Sequence, residues 1–177
     1  MDELARCVEA EIPHLQRFAR SLCGSKSEGD DLVQDALERA WRKRDSWRQE
    51  GSVRSWLFKI LYRVFLNSRR GERIPHEEVS EDTMAASGVE SLPPQEARLM
   101  ADDMVRALAA LPEEQRSPVL LVALENVSYE EAAAILDIPV GTLRSRLSRG
   151  RETLRRSMRG RGDIPMRTQR QRLRRVK

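Results

Sequence analysis

The spacing of apolar residues predicts helices along most of the chain. Apolar residues recur with a helical period from Leu4 to Leu22. Within this range, Pro13 predicts the start of a second helix, because proline fits the first turn of a helix. A loop is predicted at residues 24–27, and the acidic pair Asp30–Asp31 predicts the next helix start. The inner side of that helix is predicted to hold Leu32, Val33, Ala36, Leu37, Ala40 and Trp41.

The next periodic segment follows Gly51–Ser52. Its apolar stripe comprises Val53, Trp56, Leu57, Ile60, Leu61 and Val64. Tyr62 and Phe65 lie among arginines off this stripe, and two interpretations remain open. Exposed rings interleaved with arginines suit single-stranded nucleic acid, because bases stack on rings while guanidinium groups meet phosphates. Alternatively, the two rings widen the buried face of the helix.

The segment between Ile74 and Glu96 lacks a helical stripe and predicts a flexible linker. It contains three prolines and one glycine. From Glu77 onward it has six acidic residues and no basic residue. The linker could be a plain solvated tether, could keep two basic surfaces apart, or could thread a positive channel. Beyond it, a helix is predicted over Ala97–Leu111, with Met104 inside, and another begins at Pro112.

Residues 128–156 predict two short helices joined by a tight turn. Ser128 is the expected N-cap of a helix over Tyr129–Leu136, which Asp137 and Pro139 end. The second helix begins near Val140, and its buried stripe is Leu143, Leu147, Gly150 and Leu154. An arginine-rich face lies opposite, as in a helix-turn-helix, although any helical hairpin can carry a solvated basic face.

Charge and cysteine content narrow the class of protein. The net charge is +4, but eight basic residues and one acidic residue lie in Arg159–Lys177, which predicts a disordered basic tail. The two cysteines and two histidines do not match zinc-site spacings, so no metal and no cofactor are expected. No apolar run could span a bilayer and no signal peptide is evident, which predicts a cytoplasmic protein without membrane insertion.

The stretch from Leu111 to Arg156, with SYEEAAAILDIPVGTLRSRLSRGRETL at its centre, resembles the promoter-reading domain of bacterial RNA polymerase sigma factors of the extracytoplasmic-function (ECF) branch. The resemblance implies that the second helix of the pair reads the minus-thirty-five element. Arginine suits the O6 and N7 edge of guanine, and serine suits phosphates or base edges. The positions that match the family's readers, with one neighbouring arginine, are Arg144, Ser145, Ser148, Arg149 and Arg151.

DDLVQDALERAWRKRDSWR and GSVRSWLFKILYRVFLNSRR resemble the N-terminal conserved domain of the same family. The resemblance implies polymerase contacts at Asp31, Gln34, Asp35 and Glu38. It implies recognition and melting of the minus-ten element by Trp56, Lys59, Tyr62, Arg63, Asn67, Arg69 and Arg70. Family members often carry asparagine at the position of Arg63, so the family's base choice does not transfer to this chain.

The predicted fold is all-α, with two small helical domains joined by a flexible linker. The expected boundaries are a domain over 1–74, the linker over 75–96, a helix-turn-helix domain over 97–158 and the tail over 159–177. The implied function is a non-enzymatic initiation factor that binds core RNA polymerase and promoter DNA, takes no small-molecule substrate, and is held inactive by an anti-sigma factor.

Three alternative functions fit the sequence less well. A sigma-like decoy that sequesters an anti-sigma factor has no need of the arginine face around Arg144. A free-standing helix-turn-helix repressor leaves the N-terminal half unexplained. An enzyme is least compatible, since no histidine, cysteine or carboxylate cluster pairs a nucleophile with a base.

Overall fold

A computed structural model of the protein describes residues 3–44, 47, 51–69, 71 and 95–162. The first helix, α1, runs over Glu3–Cys23 without interruption, so the predicted helix start at Pro13 is wrong. Pro13 lies on the exposed side of α1. Leu15, Phe18 and Leu22, at the end of the apolar stripe, are fully buried, and this burial holds the helix together across a residue that lacks an N–H donor.

The loop between the first two helices is shorter than predicted. Helix α2 spans Lys26–Arg42 and therefore begins four residues before Asp30. Gly24 ends α1 with a φ of +76°, a left-handed conformation that glycine adopts without strain. Ser25 is the N-cap of α2, and its hydroxyl accepts a hydrogen bond from the backbone N–H of Glu28 at 3.4 Å.

Helix α3, over Val53–Arg69, packs on both α1 and α2. Its Phe58 ring meets the Phe18 ring edge-on, with 5.2 Å between centroids. The predicted inner residues Leu32, Val33, Ala36 and Ala40 of α2 are buried against this group, and Leu37 is half-buried. Trp41 was predicted to lie inside but is 54% exposed, because the packing of α2 against its neighbours ends at Ala40.

The C-terminal half begins with α4 over Gln95–Ala109 and α5 over Glu113–Val119. A π-helical turn over Leu120–Leu124 continues α5. Met104 was predicted to be buried but is 39% exposed, whereas Ala107 and Leu111 are buried. Leu120, Leu121 and Glu125 are all buried at this turn.

The helix pair at the C-terminus agrees with the prediction. Helix α6 covers Tyr129–Leu136, and α7 covers Val140–Gly162. Asn126 and Asp137 adopt the left-handed conformation, with φ of 53° and 56°. Leu143, Leu147 and Gly150 are buried and Leu154 is half-buried, as the stripe predicts. Helix α7 reaches Gly162 and so extends past the expected domain boundary at 158.

The two groups of helices, α1–α3 and α4–α7, share one apolar core. Leu120, Leu121, Val127 and the buried face of α6 belong to the same cluster as the interior of α1–α3. The all-α fold with a helix-turn-helix is confirmed. Most of the predicted linker (75–94 of 75–96) and most of the basic tail (163–177) lie outside the described residues. Within the described ranges, no helix is long and apolar enough to cross a membrane.

We expect Gly29→Ala to lower the melting temperature. An added methyl group would lie 2.7 Å from the backbone N and Cα atoms of Arg20, so α1 and α2 would have to separate. Overpacking of this kind costs about 1–3 kcal/mol.

Gly141→Ala is the matched control, because this helical glycine has open space around its Cβ position. Both variants gain about 1 kcal/mol in helix propensity, so only the close contact distinguishes them. Thermal unfolding followed by circular dichroism should show the control stabilised and Gly29→Ala destabilised. Equal stabilisation of the two would contradict the close packing of α1 on α2.

Candidate nucleic-acid interface

The turn between α6 and α7 is fixed by local hydrogen bonds. Ser128 and Glu131 form a capping box, in which the Ser128 hydroxyl accepts from the Glu131 N–H at 3.2 Å and the Glu131 carboxylate accepts from the Ser128 N–H at 3.4 Å. Asp137 ends α6, and the N–H of Ile138 bonds to the carbonyl of Ala133 at 3.1 Å. These hydrogen bonds fix the conformation of the turn and therefore the orientation of α7 relative to α6.

The predicted minus-thirty-five readers all lie on the solvent side of α7. Arg144, Ser145, Ser148, Arg149 and Arg151 are exposed. The Ser145 hydroxyl donates to the carbonyl of Thr142 at 2.9 Å and keeps its lone pairs available. Within the described residues, the three arginines form no ion pair with a carboxylate, while Arg146 on the neighbouring face pairs with Glu114 at 3.4 Å. The exposed guanidinium groups can thus meet an anionic ligand without first breaking a salt bridge.

An open cleft of about 460 Å³ separates the start of α6 from the middle of α7. The Arg144 guanidinium carbon lies 6.0 Å from the centroid of the Tyr129 ring, and Arg151 Nη1 donates to Tyr129 Oη at 3.5 Å. Tyr129 was not among the predicted site residues. Its position directly after the Ser128 cap was a signal, since the first residue of α6 faces the arginines of α7.

The far end of this cleft carries a local charge cluster. Glu152 accepts hydrogen bonds from Arg155 and, at 3.0 Å, from Arg156 Nε. The bond from Arg156 is the main cause that lowers the pKa of the Glu152 carboxyl. Glu152 therefore stays ionised at neutral pH and offsets part of the positive charge at this end of α7.

The predicted minus-ten residues share α3 but differ in exposure. Arg63 and Arg69 are exposed, and Trp56, Lys59 and Asn67 are half-buried. Arg63 Nη2 lies 3.9 Å from Asp137 Oδ2 in the turn of the helix-turn-helix, and Arg69 stacks on Phe65 with 5.4 Å to the ring centroid. Arg70 lies outside the described residues. The assignment of these residues to minus-ten DNA stays a prediction.

Tyr62 and Phe65 belong to the buried face of α3. Tyr62 is 7% exposed and Phe65 is 2% exposed, so in this arrangement the rings serve the core rather than stacking on bases. Burial raises the pKa of the Tyr62 phenol, which lies beside Ser117 of α5. The minus-ten assignment of Tyr62 therefore requires that the two groups of helices move apart.

The predicted polymerase contacts form a polar stripe on α2. Asp31, Gln34, Asp35 and Glu38 are all exposed. Glu38 accepts from Arg42 at 3.1 Å, an exposed pair one helical turn apart. Trp41 continues the stripe and lines a mainly apolar cleft of about 440 Å³ with residues of α1 and α3. The surface available to a protein partner on α2 is therefore polar at its start and apolar at its end.

A buried ion cluster joins the two groups of helices. The Glu125 side chain is 0% exposed, and its carboxylate lies 3.0 Å from His14 Nδ1 and accepts from Arg17 Nε at 2.9 Å and from Arg54 Nη2 at 3.0 Å. The bond with Glu125 raises the pKa of Arg17. This cluster is not among the sequence predictions, although an acidic residue directly after the apolar run VLLVAL is a signal for it.

No group of three or more potential metal ligands occurs in the part of the chain that the structure describes. Cys7 is exposed and Cys23 is half-buried, and both thiols are free. Burial raises the pKa of the Cys23 thiol to about 12, so Cys23 is a poor nucleophile.

Two family models match the chain. The Sigma2 domain of PhyR matches residues 8–62, and Sigma-70 region 4 matches residues 101–154. The first match covers most of α1 and all of α2, and it ends within α3. The second covers most of α4, all of α5 and α6, and α7 as far as Leu154.

Named relatives are similar over most of the chain. The ECF RNA polymerase sigma factor EcfG of Rhodopseudomonas palustris (strain TIE-1) is 39% identical over 153 residues, which span 86% of this chain and 83% of that protein. The ECF RNA polymerase sigma-E factor of Escherichia coli (strain K12) is 33% identical over 134 residues, 70% of each chain.

Solved structures share the fold. The sigma factor RpoE from Bartonella quintana, in complex with the anti-sigma factor NepR, has a TM-score of 0.71 and 30% identity over 90% of this chain and 98% of that chain. The anti-anti-sigma factor PhyR from the same organism has a TM-score of 0.60 at 19% identity over 88% of this chain and 51% of that chain, a likeness of fold alone. With both conserved units present and relatives at 33–39% identity, the chain belongs to the family of ECF RNA polymerase sigma factors.

Proposed function

We propose that this protein is a transcription initiation factor that binds core RNA polymerase and directs it to specific promoters. The observation that carries the proposal is the pairing of two exposed surfaces in one chain: the polar stripe of α2 and the arginine face of α7. It acts in the cytoplasm, where polymerase and chromosomal DNA meet. Sequencing the transcripts that purified core polymerase makes on genomic DNA, with and without the protein, tests the proposal directly.

In this proposal α7 reads the minus-thirty-five element from the major groove. Arg144 and Arg149 are the groups suited to base edges, because a guanidinium can donate two hydrogen bonds to guanine. Ser145, Ser148 and Arg151 suit phosphates, whose contacts orient a protein on the duplex. The minus-ten element is contacted, once α3 is accessible, by Trp56, Lys59, Tyr62, Arg63, Asn67, Arg69 and Arg70.

The domain organisation follows the same proposal. Residues 1–74 form the unit that binds polymerase and minus-ten DNA, and 97–158 form the unit that reads the minus-thirty-five element. Residues 75–96 connect the two units, and the basic segment 159–177 adds non-specific affinity for phosphates. The protein contributes no chemistry of its own, in keeping with a family of transcription regulators.

An anti-sigma factor is the proposed regulator. The similar sigma factor from B. quintana was solved with the anti-sigma factor NepR, at 30% identity to this chain. A fold that superposes over 90% of this chain offers a comparable surface to such a partner.

A decoy is the second candidate, and one observation favours it. The model that matches α1–α3 describes the Sigma2 domain of PhyR, and a PhyR protein is an anti-anti-sigma factor. A decoy would bind an anti-sigma factor without using DNA or polymerase. Arg144 and Arg149, which form no ion pair with a carboxylate among the described residues, favour the initiation factor, because a decoy gains nothing from them.

The first prediction of this proposal concerns polymerase binding. Gln34→Ala with Asp35→Ala should weaken the affinity for core polymerase, because each lost charge-assisted contact costs about 1.5–3 kcal/mol. Both residues are exposed, so helicity and melting temperature should not change. Asp102→Ala, which removes an exposed carboxylate from α4, is the control. Competition against labelled wild type measures the effect, and undiminished competition by the double variant would refute the assignment of α2.

The second prediction concerns promoter reading. Arg144→Ala or Arg149→Ala should each relax discrimination at the minus-thirty-five element by about 1–3 kcal/mol. Arg106→Ala, an exposed arginine of α4, should leave discrimination unchanged. Leu147→Ala should instead unfold the helix-turn-helix, since it empties a site that is 2% exposed at a cost of about 2–5 kcal/mol. Binding of holoenzyme to promoters with and without the element measures this discrimination. Discrimination that survives both arginine changes would refute α7 as the reader, whereas a wild-type protein that forms no holoenzyme would favour the decoy.

A further inference from the structure

The Glu125 carboxylate is bound entirely by the other group of helices. Within the described part of the chain, its hydrogen-bond partners are His14 and Arg17 of α1 and Arg54 of α3, and none belongs to α4–α7. The same arginines also bind the end of the π-helical turn: Arg54 donates to the Glu125 carbonyl at 2.8 Å and Arg17 to the Leu124 carbonyl at 3.3 Å. Cationic groups at the carboxyl end of a helical segment also interact favourably with its dipole.

Such a cluster resists separation more than surface pairs do. The carboxylate is fully enclosed, while the side chains of Arg17 and Arg54 are 48% and 27% exposed. Charges within a buried pair are weakly screened by salt. Removal of Arg17 and Arg54 would leave the buried Glu125 carboxylate without an arginine, whereas removal of Glu125 would leave Arg54 with Glu11 at 3.5 Å. Because Glu125 contacts α1 and α3 together, its loss weakens two inter-group contacts at once.

Two further contacts hold the groups together. Arg116 of α5 donates to the carbonyl of Leu22 in α1 at 2.8 Å and to those of Ala109 and Leu111 at 2.6 Å and 2.8 Å. The Ser55 hydroxyl of α3 donates to Glu131 of α6 at 3.2 Å. These contacts surround the shared apolar core and orient α6 over α3.

The closed arrangement covers some surfaces and leaves others open. Tyr62 on α3 is 7% exposed, and Arg63 meets Asp137 of the helix-turn-helix. By contrast, the polar stripe of α2 and the arginine face of α7 are both exposed. The contact between the groups therefore obstructs the part of α3 around Tyr62 and Arg63, while Arg69 at the end of the helix stays exposed.

We propose that Glu125 is the latch of a self-closed state, in which α4–α7 cover the minus-ten helix α3 while the polymerase and minus-thirty-five surfaces stay accessible. No partner is needed to hold this state. The assignment of α3 to minus-ten DNA rests on the proposed function, whereas the latch itself does not.

Glu125→Gln tests the latch, because glutamine keeps the volume of the side chain and removes its charge. Arg17→Gln with Arg54→Gln removes the same contacts from the other group of helices. Asp137→Asn is the matched control: it removes the exposed ion pair with Arg63, and asparagine tolerates the left-handed conformation at this residue. Circular dichroism of each variant establishes that the helices remain folded.

Fluorescence energy transfer in the full chain measures opening. One dye is placed on Cys7, which is exposed, and the other on Ser157→Cys, an exposed residue of α7. Cys23, with a pKa of about 12, is a poor nucleophile and stays unlabelled. We expect a high-transfer state for the wild type and for Asp137→Asn. Both latch variants should raise the open fraction by at least about tenfold, equivalent to about 1.4 kcal/mol.

Binding of a random single-stranded DNA oligonucleotide tests the covering of α3 separately. If only the open state binds, apparent affinity rises in proportion to the open fraction. Opening without tighter binding supports the latch and overturns the role given to α3. Wild-type transfer efficiency in both folded latch variants overturns the latch, as does a wild type that is already open. If Glu125→Gln loses helicity, the transfer efficiency of the Arg17→Gln, Arg54→Gln double variant alone tests the latch.

Discussion

The burial of one carboxylate between two groups of helices is the constraint on which the arrangement of this protein depends. Glu125 is inaccessible to solvent only while α1 and α3 supply its cationic partners. An unpaired buried charge is expensive, so any state that keeps Glu125 dry must also keep Arg17 and Arg54 in place. The shared apolar core attracts the two groups of helices without fixing their orientation. The ion cluster fixes how the two groups are oriented relative to each other.

Helix α3 carries two requirements that compete for the same residues. Its buried face, with Leu57, Phe58 and Leu61, completes the core of α1–α3. Tyr62 and Phe65 extend that face toward α5 and α6, which is why aromatic rings among arginines are buried here. In the proposed function, α3 therefore gains stability from a contact that it has to give up in order to meet DNA.

Local signals in the sequence were enough to predict the helix-turn-helix. The Ser128 cap, the left-handed residue Asp137 and the stripe through Leu143 and Leu147 each act within a few residues, so their geometry follows from the sequence. The continuous α1 did not follow, because the defect at Pro13 is outweighed by burial against distant helices. The Glu125 cluster and the burial of Tyr62 could not be predicted from the sequence for the same reason, because the residues they contact lie far away in the chain.

Helix α7 carries arginines that are paired with carboxylates and arginines that are not. Arg146 pairs with Glu114, and Arg155 and Arg156 pair with Glu152 toward the end of the helix. The outward arginines Arg144 and Arg149 form no such pair within the described residues. The paired and unpaired arginines therefore differ in their position along α7 rather than in direction, since Arg156 lies two helical turns after Arg149 on the same face. In the proposed function, the first half of α7 offers its positive charge to guanine edges in the major groove and to the phosphates on either side.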